Sequence, residues 1–138
     1  MALRPGVTWS ETATGTNAIG TALAERRAIE VHGGEHFFEP HGILHCAVSP
    51  IFDPFGKLAG VLDFSGHASA EHTHAMGLVR LAVEQIEHRF FARGFDDMTV
   101  VRFHRAADLL GTAREGILVF DGGRLIAGNR LSLEVRAG

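Results

Sequence analysis

Nine histidines and a single cysteine are the side chains in this sequence best equipped to bind or transform something. Five of the histidines, His32, His36, His41, His45 and His67, crowd into one stretch, with Cys46 among them. Imidazole and thiolate are zinc ligands, and imidazole is the side chain that titrates near neutral pH. His41 and His45 even have the His-x3-His spacing, so His36, His41, His45 and Cys46 form a nominal ligand set. Against it, His45 and Cys46 are adjacent on an expected strand, and neighbours on a strand face opposite sides of the sheet. The same geometry stops His45 from activating Cys46 as a nucleophile. The sequence therefore predicts no metal site and no catalytic residue. It reads the histidines as pocket-lining or hydrogen-bonded groups and Cys46 as a small buried residue.

Asp63 lies in an apolar strand, KLAGVLDFS, and a buried acid demands a partner. That partner is either a ligand or backbone amides of a neighbouring loop, and the residues leave both open. Trp9, Phe37 and Phe38 fall in expected loops, where an aromatic either staples the loop to the core or closes over a small molecule. Sites for small molecules are apolar with a few placed polar groups. Gly15-Thr16-Asn17-Ala18-Ile19-Gly20 imitates a phosphate loop, but it lacks the Lys-Ser/Thr end and a preceding strand.

The elements that must position these groups follow from periodicity. Residues 1–15 read as irregular. Residues 16–26 predict a short helix capped by Thr14 or Thr16, with Gly20 costing roughly 1 kcal/mol relative to alanine. Residues 28–32 suit a short strand. Residues 44–52 and 57–65 form a hairpin around the turn Asp53-Pro54-Phe55-Gly56. In its second strand Leu58, Gly60, Leu62 and Phe64 share one face, and Ala59, Val61, Asp63 and Ser65 the other. Pro50 cannot donate to a ladder and marks an edge or a bulge. Residues 69–92 predict the longest helix, capped by Ser69, striped by Met76, Val79, Val83, Ile86 and Phe90 and ended by Gly94. Residues 98–104 fit a strand, and residues 105–114 a short helix or turn. Two apolar runs around Asp121-Gly122-Gly123 predict a hairpin over 116–128.

Composition narrows the function classes. The chain has 138 residues, 46% hydrophobic and 21% charged, which suits a globular domain with a modest core. A formal net charge of −3, with Lys57 the only lysine, speaks against a nucleic-acid surface. No apolar run is long enough to span a membrane, and the opening MALRPGVTW has no signal-peptide core. One cysteine admits no internal disulfide, which fits a reducing cytoplasm.

Three segments in order are more specific than any of this: WSETATGTNAIGTALAE, EHFFEPHGILHCAVSPIFDPFGKLAGVLDFSG and HTHAMGLVRLAVEQIEHRF. Together they resemble the GAF domain of the acetoin-catabolism regulator family of sigma-54-dependent activators, over roughly residues 4–92. The tail VVRFHRAADLLGTAREGILVFDGGRLIAGNR is similar to the linker and opening of the PAS domain that follows GAF in that family, with Glu115-Gly116-Ile117 and Asn129 at matching positions. The resemblance implies an α+β, GAF-like (profilin/PAS-like) fold: a central antiparallel sheet with flanking helices. It implies a partial GAF sensor domain over 1–94, and a linker with a truncated PAS opening over 95–138. An earlier helix and two central strands of the family pattern are missing, so the sheet is expected to be N-terminally incomplete. The hairpin 116–128, or strand 98–104, is expected to fill the vacancy, within the chain or by exchange between two chains.

The implied function is non-enzymatic, ligand-sensing regulation of transcription in the cytoplasm, without a cofactor. A small effector, such as an acetoin-like ketone or alcohol, would bind under the 9–17 and 36–45 loops and reorient the long helix, signalling to an AAA+ ATPase absent here. The candidate ligand-binding residues are Trp9, Thr16, Asn17, His36, Phe37, His45, Cys46, Asp63 and Ser65. A homodimer seamed along the long helix is expected, with no nucleic-acid contact by this fragment and no membrane contact. A structural or dimerising module without a ligand, and a metal-binding sensor, are the alternatives. A GAF-type methionine sulfoxide reductase would need a resolving cysteine, which the sequence lacks.

Overall fold

A computed structural model gives the structure over residues 5–6, 17–31, 44–67 and 73–137, with side chains described from residue 45 in the third stretch and to residue 134 in the last. The elements are α1 (Ala18–Glu25), β1 (Ile29–Val31), β2 (Leu44–Phe52), β3 (Leu58–His67), α2 (Ala75–Arg89), β4 (Thr99–Phe103), β5 (Gly116–Asp121), β6 (Arg124–Gly128) and α3 (Arg130–Ala137). They fall into two compact units, one drawn from residues 1–50 and 60–83, the other from 51–59 and 84–138.

In the first unit α1 starts at Ala18 because Asn17 caps it, its Oδ1 accepting the Gly20 N–H at 2.8 Å. Asn17 thus takes the role expected of Thr14 or Thr16, which lie outside the described residues. The helix buries Ala18 and Ala22 with Ile29, Val31, Cys46 and Val48, and Ile19 and Val61 pack against that cluster. The sheet runs β1-β2-β3. Antiparallel pairing sets Ile29 opposite Val48, Glu30 opposite Ala47 and Val31 opposite Cys46. β2 is therefore central, not an edge, and β1 pairs with it only over Cys46–Val48. Residues 45–50 are buried on both faces of the strand.

In the second unit the β2–β3 turn forms as its sequence demands. Gly56 N–H donates to Asp53 C=O at 3.0 Å, the Asp53 carboxylate accepts from the Phe55 and Lys57 amides at 2.9 Å each, and Gly56 takes a left-handed φ of 80°. The second sheet has the order β4-β5-β6. Gly122 and Gly123, with φ of 54° and 83°, close the two-residue turn between β5 and β6. Its core is Phe91, Phe95, Ile117, Val119 and Ala127, with Met98, Val100 and Ile126 against it. The hairpin 116–128 pairs through β5 with β4, the other strand expected to fill the vacancy, in a three-stranded sheet. Exchange between two chains concerns an assembly and stays a proposal.

Of the expected α2 stripe Val79 and Val83 are buried, Met76 and Ile86 half-buried and Phe90 exposed, and Ala75 and Glu87 complete the buried face. The helix tightens into a 3-10 turn over Phe90–Ala92. That change of pitch turns Phe91 inward (5% exposed) and Phe90 outward (37%). The Ser69 cap lies outside the described residues, and α3 was not anticipated at all.

Candidate functional site

Strand alternation places the polar candidates before any ligand is considered. Cys46 and Val48 face α1, because their β1 partners Val31 and Ile29 belong to the same buried cluster. His45 and Ala47 face the other way, together with Glu30. On β3 the face containing Val61 also carries Asp63 and Ser65, as the alternation predicts.

Three of the nine candidates come together on the α1-covered face. The Ser65 hydroxyl lies 2.7 and 2.8 Å from the two Asp63 carboxylate oxygens and 3.2 Å from Cys46 Sγ. A hydroxyl has one proton to give. With that proton on Asp63, the Cys46 S–H is left to donate to Ser65 Oγ, making a chain from thiol to hydroxyl to carboxylate. Burial pushes the Asp63 carboxyl up, and the Ser65 hydrogen bond only partly offsets it. Burial also raises the Cys46 thiol, the Ser65 bond lowers it, and the Asp63 charge raises it further. Burial thus favours the protonated thiol, which is a poor nucleophile.

His45 is on the opposite face, its Nε2 3.0 Å from Glu30 Oε1. It can share neither a ligand nor a metal ion with the Cys46 group across β2. Asn17 is buried and used as the helix cap. Trp9, Thr16, His36 and Phe37 lie outside the described residues, as does His41 of the nominal metal set. Among the described residues no three His, Cys, Asp or Glu side chains converge as a metal-ligand group.

Two charged residues organise the second unit: Glu115, which the sequence singles out by resemblance alone, and Glu87, which it does not single out. Glu115, fully buried, accepts from the Gly111 amide at 2.6 Å, from His88 Nε2 at 2.9 Å and from Arg102 Nη1. Burial works to raise its carboxyl, but the bonds from Gly111, His88 and Arg102, with the Arg102 charge, outweigh it and hold the carboxyl below its ordinary value. Glu87 accepts from the Phe52 amide and from the Nε and Nη2 groups on one edge of the Arg130 guanidinium. Glu87 falls outside the apolar stripe that the sequence predicts for the long helix, so the sequence gives no signal of its burial. Asn129 had been noted by resemblance, and here it clamps the second unit. Its Oδ1 accepts from Ile117 and Ser132 amides at 3.0 Å each, and its Nδ2 donates to Glu115 C=O at 2.7 Å.

Comparison with known proteins decides the family. A sequence model described as "GAF domain" matches residues 1–90. The chain belongs to the GAF domain family. Over 96% of its length it is 35% identical to the "Acetoin catabolism regulatory protein" of Cupriavidus necator, of which it spans 21%. Over 64% it is 38% identical to the "Acetoin dehydrogenase operon transcriptional activator AcoR" of Bacillus subtilis, of which it spans 14%. Among solved structures the "E.coli DhaR(N)-DhaL complex" aligns with a TM-score of 0.59 at 18% identity, covering 61% of this chain and 29% of that one; that likeness supports the fold alone. The α+β architecture of helices with antiparallel sheets is thus that of a GAF domain, and its relatives are transcriptional regulators. No helix among the described residues is long and apolar enough to cross a membrane.

Proposed function

We propose that this GAF domain is the ligand-sensing part of a cytoplasmic, sigma-54-dependent transcription regulator, binding a small polar metabolite and catalysing nothing itself. The observation that carries the reading is the convergence of Asp63, Ser65 and Cys46 on one covered face of the sheet, around a carboxylate whose charge burial disfavours. A half-buried carboxylate with a single hydroxyl donor among the described residues retains lone pairs for hydroxyl groups of a ligand. The non-enzymatic reading is supported by a thiol whose burial favours the protonated form and by His45 lying across the sheet from it. We take residues 1–94 as the sensor and 95–138 as a linker and PAS opening, a division that the Asn129 clamp on β5 supports. Binding shifts the domain only by as much as its affinity differs between two states.

Thermal denaturation with acetoin, dihydroxyacetone and small diols tests this. A midpoint that rises with ligand concentration in the wild type and not in Asp63→Asn supports the receptor. No shift with any of them at millimolar concentration, or an equal shift in Asp63→Ala, removes it. A dimerising role has its own observation: Leu78 and Leu81, three apart on α2, are 58% and 54% exposed. Light scattering on Leu78→Glu/Leu81→Glu decides it, a fall in mass from dimer to monomer being the expected result.

A further inference from the structure

The charged groups at the start of α3 are arranged against the ordinary preference of a helix. Arg130 is its first residue, following the Asn129 cap. A cation there meets the positive end of the helix dipole and destabilises the first turn unless an anion offsets it. Glu87 supplies that anion from α2. Its Oε2 accepts Arg130 Nε–H at 2.9 Å and its Oε1 accepts Nη2–H at 2.7 Å, the fork geometry in which arginine and carboxylate bind most firmly. Oε1 also accepts the Phe52 amide at 2.8 Å, from the last residue of β2. The guanidinium carbon sits 5.1 Å from the Phe52 ring centroid, closing the arrangement with a cation–π contact. The Glu87 side chain is 9% exposed, whereas that of Arg130 is 43% exposed, so water reaches the arginine from one side.

We propose that Glu87 is a releasable latch: one buried carboxylate ties the first turn of α3 to the end of β2, and its release frees α3 while the sheet beneath stays folded. The sheet does not need the latch. β5 and β6 are held by their own ladder, by the two-glycine turn and by Asn129. The tip of the β2–β3 hairpin keeps a second hold, Gly128 N–H donating to Pro54 C=O at 3.1 Å and Phe55 resting on Phe95 with ring centroids 6.1 Å apart. α3 has less. It packs on β5, but Leu133 on its second turn is 47% exposed. β2 also carries Cys46 six residues before Phe52, so a ligand that shifts β2 would move the amide that Glu87 holds. That last connection rests on the receptor reading; the latch does not.

Hydrogen exchange of the whole chain without ligand tests the latch alone. The reporters are the Ser132 and Leu133 amides, which bond to Asn129, against the amides of β5. Glu87→Gln and Arg130→Met are each expected to lower protection of the two reporters about 10-fold or more, leaving β5 unchanged. Glu87→Gln should act more strongly, since it strands the cation at the positive end of α3. The double variant should be no worse than Glu87→Gln, because both changes break one interaction. Reporters unchanged in both single variants overturn the latch. So does a fall of equal size in β5, which would make the pair part of global stability. If Glu87→Gln does not fold, the half-exposed Arg130→Met gives the same reading by itself.

Discussion

Replacing Glu115 by glutamine keeps the side chain's shape and removes its charge, and the structure dictates what this costs. The carboxylate is fully buried and receives three donors. Glutamine offers one oxygen and one NH2 group, so at least one of Gly111 N–H, His88 and Arg102 then faces another donor. Hydrogen bonds to a charged acceptor contribute about 1.5–3 kcal/mol each, and breaking a fully buried pair costs about 3–5 kcal/mol. The Arg102 side chain is 38% exposed and recovers water when released, so the low end applies. We expect a loss of about 2–3 kcal/mol at pH 7, or roughly 6–12 °C in melting temperature for a chain of this length. The pH dependence is the sharper check. The folded-state carboxyl is held below its ordinary value, so its contribution is complete above the unfolded glutamate value of about 4.3 and is lost as pH falls through the folded value. Urea titrations of wild type and Glu115→Gln between pH 3 and 7 should therefore show a gap that is largest above about pH 5 and narrows in acid. A gap under about 1 kcal/mol at pH 7, or one equally wide at pH 3, refutes the reasoning.

Three further outcomes follow from the same structure. A Cβ on Gly116 would collide with the Phe103 ring, so Gly116→Ala should cost about 1–3 kcal/mol by denaturant unfolding, and adding Phe103→Leu should recover part of it. The Cys46 thiol should react with a disulfide reagent at pH 8 at least about 10-fold more slowly than in the unfolded chain; equal rates would show that the thiol is not shielded. The raised Asp63 carboxyl costs stability once pH exceeds its folded value and nothing below the unfolded one, so Asp63→Asn should stabilise the protein by about 1 kcal/mol at pH 7 and lose that advantage in acid.

Local chemistry was legible in the sequence and pairing between distant segments was not. Asp53-Pro54-Phe55-Gly56 and Asp121-Gly122-Gly123 announce their turns because the residue types set the backbone angles. Alternation along β3 put Asp63 and Ser65 on one face, and Cys46 fell opposite His45 for the same reason. Alternation cannot reveal register, so the Glu30 contact with His45 and the pairing of the 116–128 hairpin with β4 were out of reach. The α2 stripe went wrong at Phe90 because a 3.6-residue period was carried through a 3-10 turn. α3 escaped notice because eight residues beginning with arginine make a poor helix signal; the cap at Asn129 and the buried Glu87 supply what the segment lacks by itself.

Glu115 and Asp63 are treated in opposite ways by the fold, and the contrast bears on function. Glu115 is surrounded by donors until its charge is favoured over the neutral form, which is what a group that only holds a structure requires. Among the described residues Asp63 is given one serine hydroxyl, and burial still disfavours its charge. Nothing in the packing of a sheet requires an acid at that position; a strand of the same pattern with valine would bury as well and cost less. Local rules are broken without local compensation chiefly where a site has work to do. If Asp63 is such a place, the stability that Asp63→Asn gains at neutral pH and the ligand response that it loses are one fact seen from two sides. A variant that gained the stability and kept the response would separate them.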